Sequence, residues 1–203
     1  LTDVFLETAW SPGPDEEAAE AFAHPSGFAN RWGIIPAWIT QKDGNRQVLL
    51  QERWLRAGQA LVAPETGNLS CLARLKTAEQ SARRAGLGRW GGAGTHDSRR
   101  PESLEKVAGQ YVIVEGRVVS LGKTRRTRYL NFGRYWKRDL TVTIKTADEA
   151  AFDQVLTGWG LTVADLEGVA VRVRGYVGVK DGPHIVLEHT GQLDVIEGTK
   201  DRQ

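Results

Sequence analysis

Tyr111-Val-Ile-Val-Glu-Gly-Arg-Val-Val-Ser-Leu-Gly-Lys-Thr-Arg-Arg-Thr-Arg-Tyr-Leu-Asn-Phe-Gly-Arg-Tyr-Trp-Lys-Arg-Asp139 is the stretch whose reading decides the fold. Between Arg117 and Arg138 it carries eight basic side chains and no acidic one, interleaved with Tyr129, Phe132, Tyr135 and Trp136. Cations answer phosphates and flat rings answer bases, so the pattern suits a surface for single-stranded nucleic acid. It equally suits a solvated β-hairpin with an aromatic core face. Side chains alternate along a strand, so Tyr129 facing outward puts Leu130 inward, Asn131 outward and Phe132 in the core.

Working outward, Tyr111 to Leu121 reads as one strand, Thr127 to Phe132 as a second and Leu140 to Ile144 as a third. Asp148 to Leu156 follows with helical spacing, Ala151, Phe152 and Val155 on its inner face. Val169 to Val179 and Ile185 to Glu188 are two further strands, separated by the turn Lys180-Asp181-Gly182-Pro183. Three strands, a helix and two strands is the element order of an OB barrel, which binds strands across the face of its second and third strands. On that face or its connecting loop the order places Lys123, Arg125, Arg126, Arg128, Tyr129, Arg134, Tyr135, Trp136, Lys137 and Arg138. Arg172 and Arg174 on the fourth strand extend it.

Two hundred and three residues with a hydrophobic fraction of 40% and seven Trp suffice for a core in each of two small domains. The formal net charge of +2 does not announce nucleic acid, so the charge argument is regional. Cys71 is the only cysteine, which excludes an internal disulfide and a Cys-rich zinc site. No apolar run approaches the roughly 18 residues of a membrane helix, and Asp3 and Glu7 among the first residues do not fit a signal peptide. Leu1 to Leu6 reads as a strand already under way, so a segment before Leu1 is expected.

Upstream, Ser11-Pro12-Gly13-Pro14 is a turn, and Asp15 to Ala23 is predicted helical, with Asp15, Glu16 and Glu17 at the positive end of its dipole. Phe28 to Ile39 and Val48 to Leu50 read as a hairpin around Lys42-Asp43-Gly44-Asn45. A helix from Gln51 stops at Gly58, Ala60 to Ala63 is a short strand, and Asn68 to Ala85 is a longer helix. Gly91-Gly92-Ala93-Gly94 through Pro101 has a linker's composition, giving domains over 1–90 and 109–197 joined by 91–108. The expected class is α+β, mainly β with helices.

Asn30-Arg31-Trp32-Gly33-Ile34 resembles the Asp-Arg-Tyr-Gly-Arg hairpin of the thermonuclease-like (staphylococcal nuclease) family. Trp54 to Val62 and the closing helix from Leu75 through Gly86-Leu87-Gly88-Arg89-Trp90 are similar to later elements of that family. Tyr129-Leu130-Asn131-Phe132-Gly133 and Val171-Arg172-Val173-Arg174-Gly175 resemble segments of its two-domain bacterial relatives. The resemblance implies an SNase-type barrel, itself OB-like, followed by a second OB-like five-stranded barrel. It also implies a calcium-dependent phosphodiester nuclease, with a metal held by carboxylates, a Glu acting on water and two Arg that neutralise the phosphate.

Carried over, the hairpin Arg of the family falls on Ile34, the metal-binding Asp near Phe5 and the Glu near Thr8, with Glu7 one place off. The remaining Arg and Asp fall upstream of Leu1. Losing one transition-state donor costs about a hundred- to thousand-fold in rate, so no catalytic residue, metal ligand or cofactor is assigned, and calcium belongs only to the active-nuclease alternative. Of the histidines, His24, His96, His184 and His189 share no metal-ligand spacing and are read as surface or packing residues. The reading is a pseudo-nuclease that binds nucleic acid through the basic aromatic hairpin. Its alternatives are an active nuclease and a non-catalytic envelope module facing an acidic protein or lipid. A monomer is expected, and export to the periplasm or medium is an expectation from the resemblance alone.

Overall fold

The computed structural model describes residues 4–6, 20–65, 69–92 and 94–196. The chain divides into two units, Leu1–Gly94 and Thr95–Gln203. It is an α+β protein built mainly of β-sheet.

In the first unit, β1 (Val4–Leu6) is followed by β2 (Ala21–Pro25), β3 (Ala37–Asp43) and β4 (Arg46–Leu49). The last three form an antiparallel sheet in the order β2-β3-β4, and α1 (Leu50–Arg56) leads directly out of β4. Then β5 (Ala60–Val62) pairs antiparallel with β1, and α2 (Leu69–Arg84) packs back over them. Trp54 and Leu55 of α1 meet Leu72, Leu75 and Ala78 of α2 in one apolar cluster, as the spacing of three and four requires. Gln51 is fully buried because its amide extends the sheet: Oε1 accepts from the Ile39 N–H at 3.1 Å and Nε2 donates to the Ala37 carbonyl at 3.0 Å. Buried Glu79 likewise accepts from the Val62 N–H at 2.7 Å.

Two expectations change in this unit. Ala21 to Ala23 are strand rather than helix, because pairing with β3 (Ala21↔Gln41 through Pro25↔Ala37) overrides a weak alanine preference. Asp15 to Ala19 of that expected helix, and Glu7 and Thr8, lie outside the described residues, and Glu20 is irregular. Phe28 to Pro36 is irregular. Asn30 accepts the N–H groups of Trp32 and Ile34 through Oδ1, each at 3.0 Å, and Gly33 takes φ +75°, so the segment turns before β3 begins.

The second unit opens with β6 (His96–Asp97) and α3 (Pro101–Glu105), both inside the expected linker. β6 pairs parallel with β7 (Tyr111–Arg117), and Leu104 of α3 is fully buried in the core, so 95–108 is part of the folded unit. β8 (Ser120–Lys123), β9 (Thr127–Asn131) and β10 (Thr141–Lys145) follow as an antiparallel meander, then α4 (Glu149–Leu156). β11 (Ala170–Tyr176) pairs antiparallel with β7, β12 (Gly178–Val179) with β13 (Pro183–Leu187), and β14 (Leu193–Val195) with β11. β13 runs parallel to β10, with Val142 opposite Ile185. Where β13 returns beside β11, a Cβ on Gly175 would lie 2.7 Å from Ile185 Cγ2, so only glycine allows that closure.

The expected strand from Tyr111 to Leu121 is broken after Arg117. The Val118 N–H donates to Val169 and the Val119 N–H to Asn131, so the chain changes neighbours within one residue. With β7 and β8 counted as one bent strand, this is the five-stranded OB topology. Val114, Leu130, Val142, Ile144, Phe152 and Val171 fill its interior.

One carboxylate ties the β8–β9 hairpin to the helix. Glu149, at the start of α4, accepts from Arg128 Nε and Nη2 at 2.9 and 2.5 Å and pairs with Lys123 Nζ at 2.9 Å. Burial pushes this carboxyl up, but the hydrogen bonds from Lys123 and Arg128 outweigh it and hold the group below its ordinary 4.5. Its contribution is therefore complete above about pH 4.5 and is lost as pH falls through the lower folded value. Glu149→Gln should lose about 2 kcal/mol at pH 7. Urea titrations from pH 7 to pH 3 should show a shallower acid slope for the variant; equal slopes would assign the acid dependence to other groups.

Gly58 ends α1 with φ +70°, and a Cβ there would sit 2.1 Å from the Leu87 carbonyl oxygen, whereas Gly44, at φ +57°, faces open space. Gly58→Ala should cost about 3 kcal/mol, from left-handed strain and overpacking together, against about 1 kcal/mol for Gly44→Ala. Similar urea midpoints for the two variants would remove the close approach at Leu87 from the account.

Candidate nucleic-acid interface

Alternation along β9 and β10 sends Leu130, Val142 and Ile144 into the barrel, and Tyr129, Asn131, Thr141 and Thr143 to its outer face. Cross-strand register sets Tyr129 opposite Thr143 and Asn131 opposite Thr141. Gly122 on β8 faces Tyr129, where a Cβ would make ordinary contact with the Tyr129 side chain at 3.4 to 3.8 Å. On the other side of β10, His184 stands opposite Thr141. Trp136 and the pair Lys180 and Asp181 complete the walls of a cleft of about 510 Å³.

The loops around this cleft are held by specific contacts. In the β9–β10 loop, Asp139 Oδ2 accepts the Tyr135 N–H at 2.9 Å, and the Tyr135 carbonyl accepts the N–H groups of Arg138 and Asp139 at 2.8 and 2.7 Å. Gly133 makes room for that carboxylate: a Cβ there would be 2.0 Å from Asp139 Oδ2. The β12–β13 turn meets this loop at Gly182, whose φ is +91° and whose Cβ would lie 3.0 Å from the Arg138 carbonyl carbon. In the β8–β9 turn, Thr124 Oγ1 accepts the Thr127 N–H at 3.1 Å and the Arg126 carbonyl accepts the Thr146 N–H at 2.9 Å. Asn131 Nδ2 donates to Ser120 Oγ at 3.2 Å, fixing the orientation of its amide on the cleft floor.

The twelve residues expected to bind nucleic acid separate into two groups. Arg125, Arg126, Arg134, Tyr135, Trp136 and Lys137 are exposed on the two loops. Tyr135 and Trp136 retain 72% and 57% of their surface, and Lys137 Nζ lies 5.3 Å from the Trp136 ring centroid. Tyr129 is half-buried on the cleft wall. The others are engaged within the fold. Arg128 and Lys123 belong to Glu149, and Arg128 points to the α4 end of the barrel rather than its outer face. Arg138 pairs with Glu102 at 3.0 Å, and hydrogen bonds from the backbone of Glu102 and from Arg138 hold the Glu102 carboxyl below its ordinary value. Arg172 pairs with Glu115 of β7 at 2.8 Å. Arg174 is 1% exposed and lies 3.6 Å from Asp194. Arg172 and Arg174 therefore do not extend the cleft: they lie on β11, in the sheet of β7 and β14.

Sequence reading missed Asn131, Thr141, Thr143, Lys180, Asp181 and His184 as a set. The polar positions of β9 and β10 were visible as the outward half of the alternation, and Lys180-Asp181 as a turn. Nothing in the sequence tied His184 to them, because a parallel β10–β13 pairing joins residues far apart in the chain.

In the first unit, Ile34 is 62% exposed at the Asn30–Gly33 turn and offers no charge, and Phe5 pairs through its backbone with Leu61. Among the described residues no group of three His, Cys, Asp or Glu side chains is placed to hold a metal, and no helix is long and apolar enough to cross a membrane.

No protein-family model matches the chain, and no curated protein matches it. Among solved structures it is similar to the OBody AM3L15 bound to hen egg-white lysozyme, with 17% identity over 48% of this chain and 91% of that one, at a TM-score of 0.34. The S. pombe Stn1-Ten1 complex is similar at 10% identity over 43% of this chain and 58% of that one, with a TM-score of 0.31. The aspartyl-tRNA synthetase of Entamoeba histolytica is similar at 10% identity over 46% of this chain and 20% of that one, with a TM-score of 0.30. The OB assignment for the second unit rests on its strand pairing.

Proposed function

We propose that the second unit binds single-stranded nucleic acid across the outer face of β9 and β10. The observation that carries this reading is the placement of Tyr129 and Trp136 on one cleft, with Arg125, Arg126, Arg134, Lys137 and Lys180 on the loops around it. Among the described residues none of these five cations forms an ion pair with a carboxylate. Such cations are available to phosphates, while rings on the same surface are available to bases; an OB barrel uses this face and these loops in that way. The cations consumed by Glu149, Glu102 and Glu115 are excluded from the interface, which makes it smaller than the count of basic residues suggests.

We read the first unit as thermonuclease-like with a degenerate site. The turn at Asn30–Gly33, the hairpin of β3 and β4, and the succession α1, β5, α2 support the resemblance. Ile34 supports the loss of chemistry, because an aliphatic side chain neutralises no developing phosphate charge. Binding on this reading needs no metal.

A labelled single strand mixed with the chain at low salt, with calcium or with chelator, tests both parts. Retardation in either buffer without cleavage is expected; calcium-dependent cleavage would overturn the degenerate site, and no retardation would overturn the interface. Trp136→Ala should weaken binding by about 1–3 kcal/mol. The double reversal Arg125→Glu and Arg126→Glu should weaken binding to all sequences alike. It should also flatten the slope of log K against log salt by about 1.4, near 0.7 for each phosphate that is no longer neutralised. An unchanged slope would take the β8–β9 turn out of the interface.

A further inference from the structure

A stacking platform needs only a flat ring and a nearby cation, yet the surface between Tyr129 and His184 is a cleft with a polar floor. Its volume of about 510 Å³ lies within the range of pockets that enclose a small ligand. The floor carries the Asn131 amide and the Thr141 and Thr143 hydroxyls, groups that stacking does not use. One Asn131 Nδ2 hydrogen is taken by Ser120, and an amide nitrogen has a second.

His184 supplies the direction of recognition. The Cε1 edge of its ring lies against Gly178, where a Cβ would be 2.1 Å from Cε1, 2.7 Å from Nδ1 and 2.8 Å from Nε2, so glycine admits the ring there. Nδ1 is sealed from solvent and has no hydrogen-bond partner. Nε2 is then the ring nitrogen left to meet a ligand in the cleft. A neutral imidazole has one N–H and one bare nitrogen, and a buried N–H without an acceptor is the costlier of the two to strand. That cost favours the tautomer with its proton on Nε2, which makes His184 a donor on one side of Thr141 and the Asn131 amide a donor on the other.

Resting on the nucleic-acid reading of this face, we propose that the cleft takes one unstacked nucleobase against Tyr129 and Trp136. It selects a base with a carbonyl oxygen on its edge, through His184 Nε2–H and the Asn131 amide. Thymine, uracil, cytosine and guanine carry such an oxygen, and adenine carries none. The basic loops on either side hold the flanking phosphates without reading sequence, so preference is confined to the cleft.

Thymine and adenine oligomers of about 12 nucleotides, a length within the reach of one OB domain, separate the two contributions by fluorescence anisotropy. Adenine strands stack on themselves, so some preference for thymine arises without edge contacts. His184→Phe keeps a ring in place and removes the donor. It should lower affinity for the thymine oligomer about fivefold, with less than about twofold change for adenine, the loss expected for one hydrogen bond. A thymine oligomer carrying difluorotoluene, a shape mimic without carbonyl oxygens, should lose a similar factor on the wild-type chain, a readout that needs no folded variant. Binding of both oligomers with the preference unchanged by His184→Phe and by the mimic would overturn base selection alone. Failure of the wild-type chain to bind either oligomer would overturn the interface and base selection together.

Discussion

The second unit depends on one exchange of hydrogen bonds. Val118 gives its N–H to Val169 and Val119 gives its own to Asn131, so a single bent strand belongs to two sheets. A straight strand would pair with β11 or with β9, and the meander would lie open. The bend brings β9 and β10 across the barrel while Val114 and Leu130 stay on the same interior. It also decides what the outside looks like. Strands that bury one face in a closed barrel expose the other, and here the exposed face carries a tyrosine, an asparagine and two threonines rather than charges.

Charge is distributed by a second constraint, that a carboxylate removed from water must be matched. Glu149 sits at the start of α4 with 12% of its side chain exposed, and it draws in both Lys123 and Arg128. Glu115 draws in Arg172, and Asp194 stands beside Arg174. What remains for a ligand are the cations at turn tips, which form no ion pair with a carboxylate among the described residues. The local field is therefore concentrated on the β8–β9 and β9–β10 loops, although the chain as a whole is nearly neutral.

Much of the second unit was legible because its interior follows a period of two. Leu130 and Phe132, Val142 and Ile144, and Val171 and Val173 mark three strands without ambiguity, and Ala151, Phe152 and Val155 mark a helix by spacing, although of the three only Phe152 is buried: Ala151 and Val155 are exposed, and Leu156 takes the inner position. The break at Val118 was hidden because both valines suit a strand, and only a change of partner distinguishes them. The same limit applies to the arginines. A basic residue in a hairpin looks free until its acceptor is known, and Glu149 and Glu115 lie on elements that only the folded chain brings near. Ala21 to Ala23 failed in the opposite sense: alanine favours helix locally, but the edge of β3 offered a full ladder of backbone partners.

On the proposed reading, recognition at the cleft calls for more than the right residue types. Trp136 and Tyr135 stand on a loop, and a mobile loop must be ordered on binding, at a cost that lowers affinity. In this chain Asp139 binds back to Tyr135, Gly133 admits that carboxylate, and Gly182 brings the β12–β13 turn against Arg138. Each contact is local, and together they fix the loop that carries the rings before any ligand arrives. The glycines are as necessary as the aromatics, because a side chain at Gly133, Gly178 or Gly182 would displace the group that shapes the wall. A surface with the same cations and rings on a free loop would still attract a polyanion. It would have no fixed floor against which the edge of one base differs from that of another.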